Sequence, residues 1–276
     1  MRDDSTLTLK QIEEIEHKYL LKYWYFLKYA EDDIIKGFNS KNDIIDDWKG
    51  LYGSESGSGI SDFAVGSERI IYALLNGKIA GQPNSSPVSS DLFFEVEDAF
   101  IHIDLKSVTT TDGAVDESTG EKLTDNIGDF NKNIFIGQNQ NSYRGQMIVN
   151  KGRENEEIRD YIPNLPFYYT KQNGEKKITL TYFVTILYNS ITQATELISI
   201  MCVPNGKLES HYKERPLKAG KNPDKTRFNF TECSSFELLD NNPKRVKVIY
   251  INPKMSDSLK AKLDFYIQNF IPEIKD

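Results

Sequence analysis

Hydrophobic and polar positions recur with two different periods along this chain. Over residues 8–38 the apolar residues Ile12, Ile15, Leu20, Trp24, Leu27, Ile34 and Phe38 fall on one face at helical spacing, which predicts a long amphipathic helix. Thr8 and Gln11 stand where a capping box would start it. The stretch GSESGSGIS at 53–61 is a turn-rich break. A second helix is expected over about 61–76, with Ser61 as N-cap and Ile70, Ile71, Leu74 and Leu75 as its buried side. Residues 77–90, rich in Gly, Pro, Asn and Ser, read as a loop.

The period then changes to two. DLFFEVEDAFIHIDLKSV, residues 91–108, alternates strictly and predicts two strands around a tight turn at Asp98-Ala99. Residues 109–133 are acidic, Gly-rich and weakly patterned, and read as an irregular loop. Four later stretches, 165–170, 176–188, 195–203 and 244–251, are β-rich, and Asn173-Gly174 and Asn205-Gly206 are turn dipeptides. The segment 207–228 is polar and basic, and a last helix is expected over about 257–270 with Ser256 or Asp257 near its cap. There is no internal repeat. Helices at both ends and strands between them place the chain in the α/β (α+β) class.

Composition narrows the picture only a little. The 276 residues, 38% apolar, suffice for one sizeable core or one domain with a large insertion. No apolar run approaches the roughly 18 residues of a membrane span, so no membrane partner is expected. MRDDSTLTLK has no apolar core after its charges and does not read as a secretion signal. Cys202 and Cys233 lie far apart and lack zinc-ligand spacing; they fit reduced thiols of a cytoplasmic protein. A net charge of −7 argues against a passive nucleic-acid coat protein, which is usually basic, but not against an enzyme on DNA.

The hairpin carries the candidate chemistry. With a two-residue turn at 98–99, Leu92, Phe94, Val96, Ile101, Ile103 and Leu105 form a purely apolar face. The other face holds Asp91, Phe93, Glu95, Glu97, Phe100, His102, Asp104 and Lys106. In that register Asp91 lies opposite Lys106 and diagonal to Asp104, roughly 7–8 Å away at the backbone, so two carboxylates can converge on one ion. Hard oxygen ligands with few protein contributors suit Mg²⁺. A lysine beside them can help activate water for phosphodiester hydrolysis. An amphipathic hairpin with a solvated charged face would show the same D-x-K triplet. What strengthens the catalytic reading is that the triplet closes an apolar strand, with a second Asp at the start of the partner strand.

Asp91, twelve residues, then Asp104-Leu105-Lys106 resembles the PD-(D/E)xK motif of type II restriction endonucleases. VGSERIIYALL (65–75), IHIDLKSV (101–108), IGQNQNS (136–142), IPNLPFYY (162–169), CVPNG (202–206) and ERPLKAGKNPDKTR (214–227) follow in the order of the Bgl- and Sfi-like branch, which cuts interrupted palindromes. The resemblance covers about residues 60–250. Ser90 rather than Pro precedes Asp91, and the gap between the two acids is short, which leaves Asp91 or Glu95 as first ligand, with Asp91 preferred. The resemblance implies a nuclease core with a mixed central sheet flanked by helices and an added β-rich DNA-recognition region. It implies one endonuclease domain over 1–276, with a helical part at 1–60, a catalytic core at 61–108, a recognition region at 109–251 and a C-terminal helix at 252–276. It further implies Mg²⁺ on Asp91, Asp104 and the Leu105 carbonyl, Lys106 orienting the attacking water, and Glu68 as an accessory acid. His102 and Glu95 read as supporting or solvent-facing.

Base readout needs amide, basic or acidic groups in a groove, and basic groups on phosphates. Gln138, Asn139, Gln140, Asn141 and Arg144 form one candidate segment. Arg215, Lys218, Lys221, Asp224, Lys225 and Arg227 form a second, a basic island in an acidic chain. Lys244, Arg245 and Lys247 begin a strand and are candidate phosphate contacts. A palindromic duplex implies two-fold symmetry, hence a homodimer or a dimer of dimers, and a cognate DNA methyltransferase is expected in the same bacterial or archaeal cell. The aromatic run Tyr19, Tyr23, Trp24, Tyr25 and Phe26 serves either that interface or, as preferred, the core. The rivals are a repair or recombination nuclease of the same fold and a non-catalytic DNA-binding protein.

Overall fold

The computed structural model describes residues 7–43, 70–75, 82–83, 91–110, 133–150, 152–189, 194–210, 217–219, 225–229 and 245–271. Helix α1 (Leu9–Tyr29) begins at the expected capping box: the Gln11 N–H donates to the Thr8 hydroxyl, and the Thr8 N–H donates back to the Gln11 amide oxygen at 2.9 Å. The single helix expected over 8–38 is two helices. Ala30 leaves helical geometry (φ −89°, ψ 10°), and α2 (Glu31–Asp43) starts with Glu31, Asp32 and Asp33 at its positive end. The buried stripe of Ile12, Leu20, Trp24, Leu27, Ile34 and Phe38 runs across the break, so periodicity alone does not reveal it. Of the second expected helix, 70–75 is helical with Ile71 and Leu75 buried; Ser61 lies outside the described residues.

In chain order the strands are β1 (Gln82–Pro83), β2 (Leu92–Glu95), β3 (Ala99–Thr109), β4 (Asn133–Gly137), β5 (Gly145–Val149), β6 (Glu157–Tyr161), β7 (Tyr168–Thr170), β8 (Lys176–Tyr188), β9 (Thr195–Val203), β10 (Leu217–Ala219), β11 (Lys225–Asn229) and β12 (Val246–Ile251). The main sheet runs β1-β2-β3-β8-β9-β12, with β7 paired to the start of β8. It is mixed: β3 and β8 are parallel, and every other pair is antiparallel. Strands β8 and β9 are buried almost end to end, as near-continuous apolar runs covered on both faces should be.

Helix α1 packs on one face of this sheet. The Tyr23 ring meets Tyr182 edge-on at 5.8 Å, Tyr182 donates its hydroxyl to the Glu16 carbonyl, and Trp24 Nε1 donates to Val248 O at 2.8 Å. Tyr19, Tyr23 and Trp24 thus belong to the core, whereas Tyr25 is 46% exposed. Arg245 corrects an expectation. It does not face phosphate but is 1% exposed, donating to Glu13 and Glu16 of α1 at 2.8 and 2.7 Å. Lys247 is half-buried over the Trp24 ring, and Lys244 lies outside the described residues. Cys202 is a buried free thiol.

The C-terminal helix divides at Leu263 into α3 (Asp257–Lys262), capped by Ser256, and α4 (Asp264–Ile267). The structure adds two small sheets the alternation pattern did not reveal: β10-β11-β4, and the hairpin β5-β6. Asn173-Gly174 does turn, with Gly174 at φ +85°. Asn205 instead caps one 3₁₀ turn, Gly206–Leu208. Gly206 has no room for a Cβ there, which would sit 2.0 Å from Ser142 O and 2.2 Å from the Phe167 ring.

Candidate active site

The β2–β3 hairpin forms as expected but two residues out of the expected register. Leu92 pairs with Ile103, not Leu105, and Glu95 with Phe100. The turn covers 96–99, closed by Val96 N–H on Ala99 O at 3.0 Å and pinned to α1 through Asp98, which accepts from Lys18 and the Tyr19 hydroxyl. Ala99 is drawn out of the turn because it already pairs with Ile178 in the parallel ladder. A slip of two keeps every side chain on its face. Carrying the register one step further sets Asp91 directly opposite Asp104, where Lys106 was expected.

Asp91 and Asp104 therefore meet side by side at the open end of the hairpin. Asp91 is exposed and accepts the Leu105 N–H at 2.7 Å. Asp104 is 4% exposed and ion-paired with Lys106, whose ammonium lies partly open to solvent. Burial lifts the Asp104 carboxyl to about 6; Lys106 offsets part of the rise, and the negative Asp91 adds to it. Among the described residues no three His, Cys, Asp or Glu side chains converge, so the oxygen donors are two carboxylates and the local backbone. Glu68 lies outside the described residues.

The alternative first acid, Glu95, sits at the turn end, four residues along from the position opposite Asp104, or roughly 13 Å at strand spacing. There it binds Lys171 and Lys177 at 2.6 and 2.8 Å. His102, expected to be supporting or solvent-facing, is fully buried against Phe93 and Tyr169, with ring centroids 4.5 and 5.9 Å away. Burial lowers it to about 3, and neither nitrogen has a hydrogen-bond partner among the described residues.

The amide-rich segment follows β4. Asn141 is buried, donating to Gly137 O and the Tyr161 hydroxyl while its Oδ1 accepts the Tyr143 N–H. Gln140 turns inward and donates to Asp104 Oδ2 at 3.0 Å, a contact that reading it as a base reader did not foresee. Gln138 and Asn139 stay at the surface, tied to Asn164, and exposed Arg144 stacks on Phe167 at 4.7 Å. Of the basic island, Lys218 pairs with Arg227 across β10–β11, and Lys225 pairs with Gly137 across β11–β4. The alternate positions Ile136, Leu217 and Thr226 are buried. Arg215, Lys221 and Asp224 lie outside the described residues.

The mixed sheet thus presents two carboxylates and a lysine at the end of one hairpin. The sequence matches the N-terminal domain of the type II restriction enzyme MwoI over residues 8–192 and the central domain of that enzyme over 195–251. The chain belongs to this family and is a type II restriction endonuclease, a site-specific deoxyribonuclease. A comparison with curated proteins finds no match. The fold is similar to that of the restriction endonuclease BglI bound to its DNA recognition sequence, with TM-score 0.59 and 16% identity over 90% of this chain and 94% of that one. It is also similar to tetrameric SfiI bound to cognate DNA, with TM-score 0.58 and 13% identity over 92% and 90%. Among the described residues no helix is long and apolar enough to cross a membrane.

Proposed function

We propose that this endonuclease cuts double-stranded DNA at a palindromic or interrupted palindromic site, with Mg²⁺ held by Asp91, Asp104 and the Leu105 carbonyl. The observation that carries the reading is the pairing of Asp91 with Asp104 beside Lys106. Two acids pressed together, one of them buried, leave an excess of negative charge that one lysine only partly offsets, and a small hard cation fits that donor set. When bound, the ion would offset the charge that builds on the phosphate during attack. Asp104, fixed by Lys106 and its strand, sets where the scissile phosphate lies relative to the hairpin. The Lys106 ammonium, partly open to solvent, donates to the attacking water and orients it. Glu68 is proposed as an accessory acid.

DNA would lie along the surface that carries Lys218, Lys225 and Arg227, with Arg215, Lys221 and Asp224 on the same segment. Gln138, Asn139 and Arg144 are added from the loop after β4. Gln140 and Asn141, placed with them by sequence, are engaged inside the protein. The whole chain acts as one endonuclease unit, paired by two-fold symmetry as a homodimer or dimer of dimers, in the cytoplasm of a cell that holds a cognate methyltransferase.

The test is digestion of a large phage DNA with Mg²⁺ and with EDTA, beside Asp104→Ala. Discrete bands that need Mg²⁺ and vanish in the variant are expected, and sequencing their ends gives the site. Smearing lost in the variant would instead indicate a structure-directed nuclease. Cleavage unchanged in Asp104→Ala would remove this hairpin from the chemistry.

A further inference from the structure

Gln140 reaches Asp104 from outside the catalytic hairpin. Its Nε2 donates to Asp104 Oδ2 at 3.0 Å, the same oxygen that Lys106 engages. Its Oε1 accepts the Gly137 N–H at 2.7 Å, and its own N–H donates to Gly137 O at 3.1 Å. Both ends of the amide are therefore engaged inside the protein. The loop that carries it is closed by the buried Asn141, which bonds Gly137 O, the Tyr161 hydroxyl and the Tyr143 N–H. Gly137 ends β4 and pairs with Lys225 of β11. A loop anchored on the β10-β11-β4 sheet thus holds one oxygen of a buried carboxylate on the main sheet.

We propose that Gln140 is a positioning residue for Asp104, an inference that rests on the reading of Asp91, Asp104 and Lys106 as the catalytic centre. Its amide fixes the rotation of the Asp104 carboxylate, so that the carboxylate meets Asp91 in one orientation. Donation to a buried carboxylate is a charge-assisted bond, and it is unusually well placed because its other end is clamped by backbone.

Two variants separate this role from simple loop anchoring. Gln140→Glu keeps the acceptor for the Gly137 N–H but loses the donor to Asp104. Gln140→Ala loses both. Three quantities are measured on the full chain: the single-turnover cleavage rate at saturating DNA with Mg²⁺, the DNA affinity in EDTA, and the thermal midpoint. Both variants are expected to cleave about tenfold slower or worse, with DNA affinity in EDTA within about twofold of the parent, as loss of one hydrogen bond to a charged group implies. A parental rate for Gln140→Glu beside a slow, less stable Gln140→Ala would overturn the proposal and leave Gln140 as a loop anchor. Lost affinity in EDTA with the saturated rate intact would overturn it in favour of a DNA contact. If the parent itself does not cut, the reading of the catalytic centre fails. If the parent cuts, Asp104→Ala is dead and both Gln140 variants cut at full rate, only this inference fails.

Discussion

Asp104 is held almost fully buried beside a second acid, and its carboxyl rises from 3.8 to about 6. Keeping it ionised at neutral pH without a cation costs the fold roughly 3 kcal/mol at about 1.4 kcal/mol per unit. Asp104→Asn should therefore abolish cleavage and yet raise the urea-unfolding free energy of the EDTA-treated protein by about 1 to 3 kcal/mol, the trade expected where a site is built for function. A destabilised variant would mean that Lys106 and Gln140 compensate the buried charge in full. His102 makes an opposite case. Folded, it stays neutral down to about pH 3, while in the unfolded chain it takes up a proton near 6.5. Protonation thus favours the unfolded chain, so the His102 contribution to stability is complete above 6.5 and is lost as pH falls toward 3. His102→Phe should be neutral or stabilising at pH 7, and its advantage over the parent should grow by about 2 kcal/mol between pH 7 and 5. Parallel stability–pH curves would exclude burial of an uncharged imidazole. The sequence placed Asp91, Asp104 and Lys106 on one face because alternation is insensitive to an even slip. Of the two readings of His102, supporting or solvent-facing, burial beside Phe93 and Phe100 on that same face removes the second.

The same limit appears at the scale of elements. Strands β8 and β9, thirteen and nine residues of mostly apolar chain, were legible because their length and burial need no partner to identify them. Strands β4, β5, β6, β10 and β11 have three to five residues each and are strands by virtue of the ladders they join. The hairpin register was misplaced because Ala99 is committed to the parallel ladder with β8, a contact almost eighty residues distant in sequence. Arg245 shows how charge patterning misleads: a basic strand start looked like a phosphate contact, but its partners, Glu13 and Glu16, lie on a helix at the other end of the chain. This buried triad fastens α1 to the sheet edge, and Glu16 also accepts the Asn205 N–H at 2.6 Å. Arg245→Met should destabilise the protein by about 3 to 5 kcal/mol, because it strands two buried carboxylates. Replacing Glu13, Glu16 and Arg245 together with apolar residues should recover much of that loss. Denaturant midpoints of the two variants decide it: a triple variant no better than Arg245→Met would mean the triad holds α1 by more than mutual charge compensation.

At the scale of the whole molecule, a chain of net charge −7 must bind a polyanion, so attraction has to be local. In the proposed reading the β10-β11-β4 sheet supplies it. Its buried positions are Leu217, Thr226 and Ile136, and Lys218, Lys225 and Arg227 occupy the intervening register positions. Because the Lys225 partner Gly137 also clamps Gln140, the sheet proposed to meet DNA is one backbone pair and one side chain from Asp104. Three cations that contact phosphate would each contribute about 0.9 to the slope of log affinity against log salt. The triple variant Lys218→Ala, Lys225→Ala, Arg227→Ala should therefore lower that slope by up to about 2.7 and weaken cognate and random DNA alike. Any of the three that reads a base should instead leave random-DNA affinity and the slope intact while cognate affinity falls by about 1 to 3 kcal/mol. Equilibrium titrations in EDTA over a range of salt, with cognate and random duplexes, separate the two roles residue by residue. An unchanged slope together with unchanged cognate affinity would take this sheet out of the interface, and the acidic surface would then need another basic element to draw DNA to Asp104.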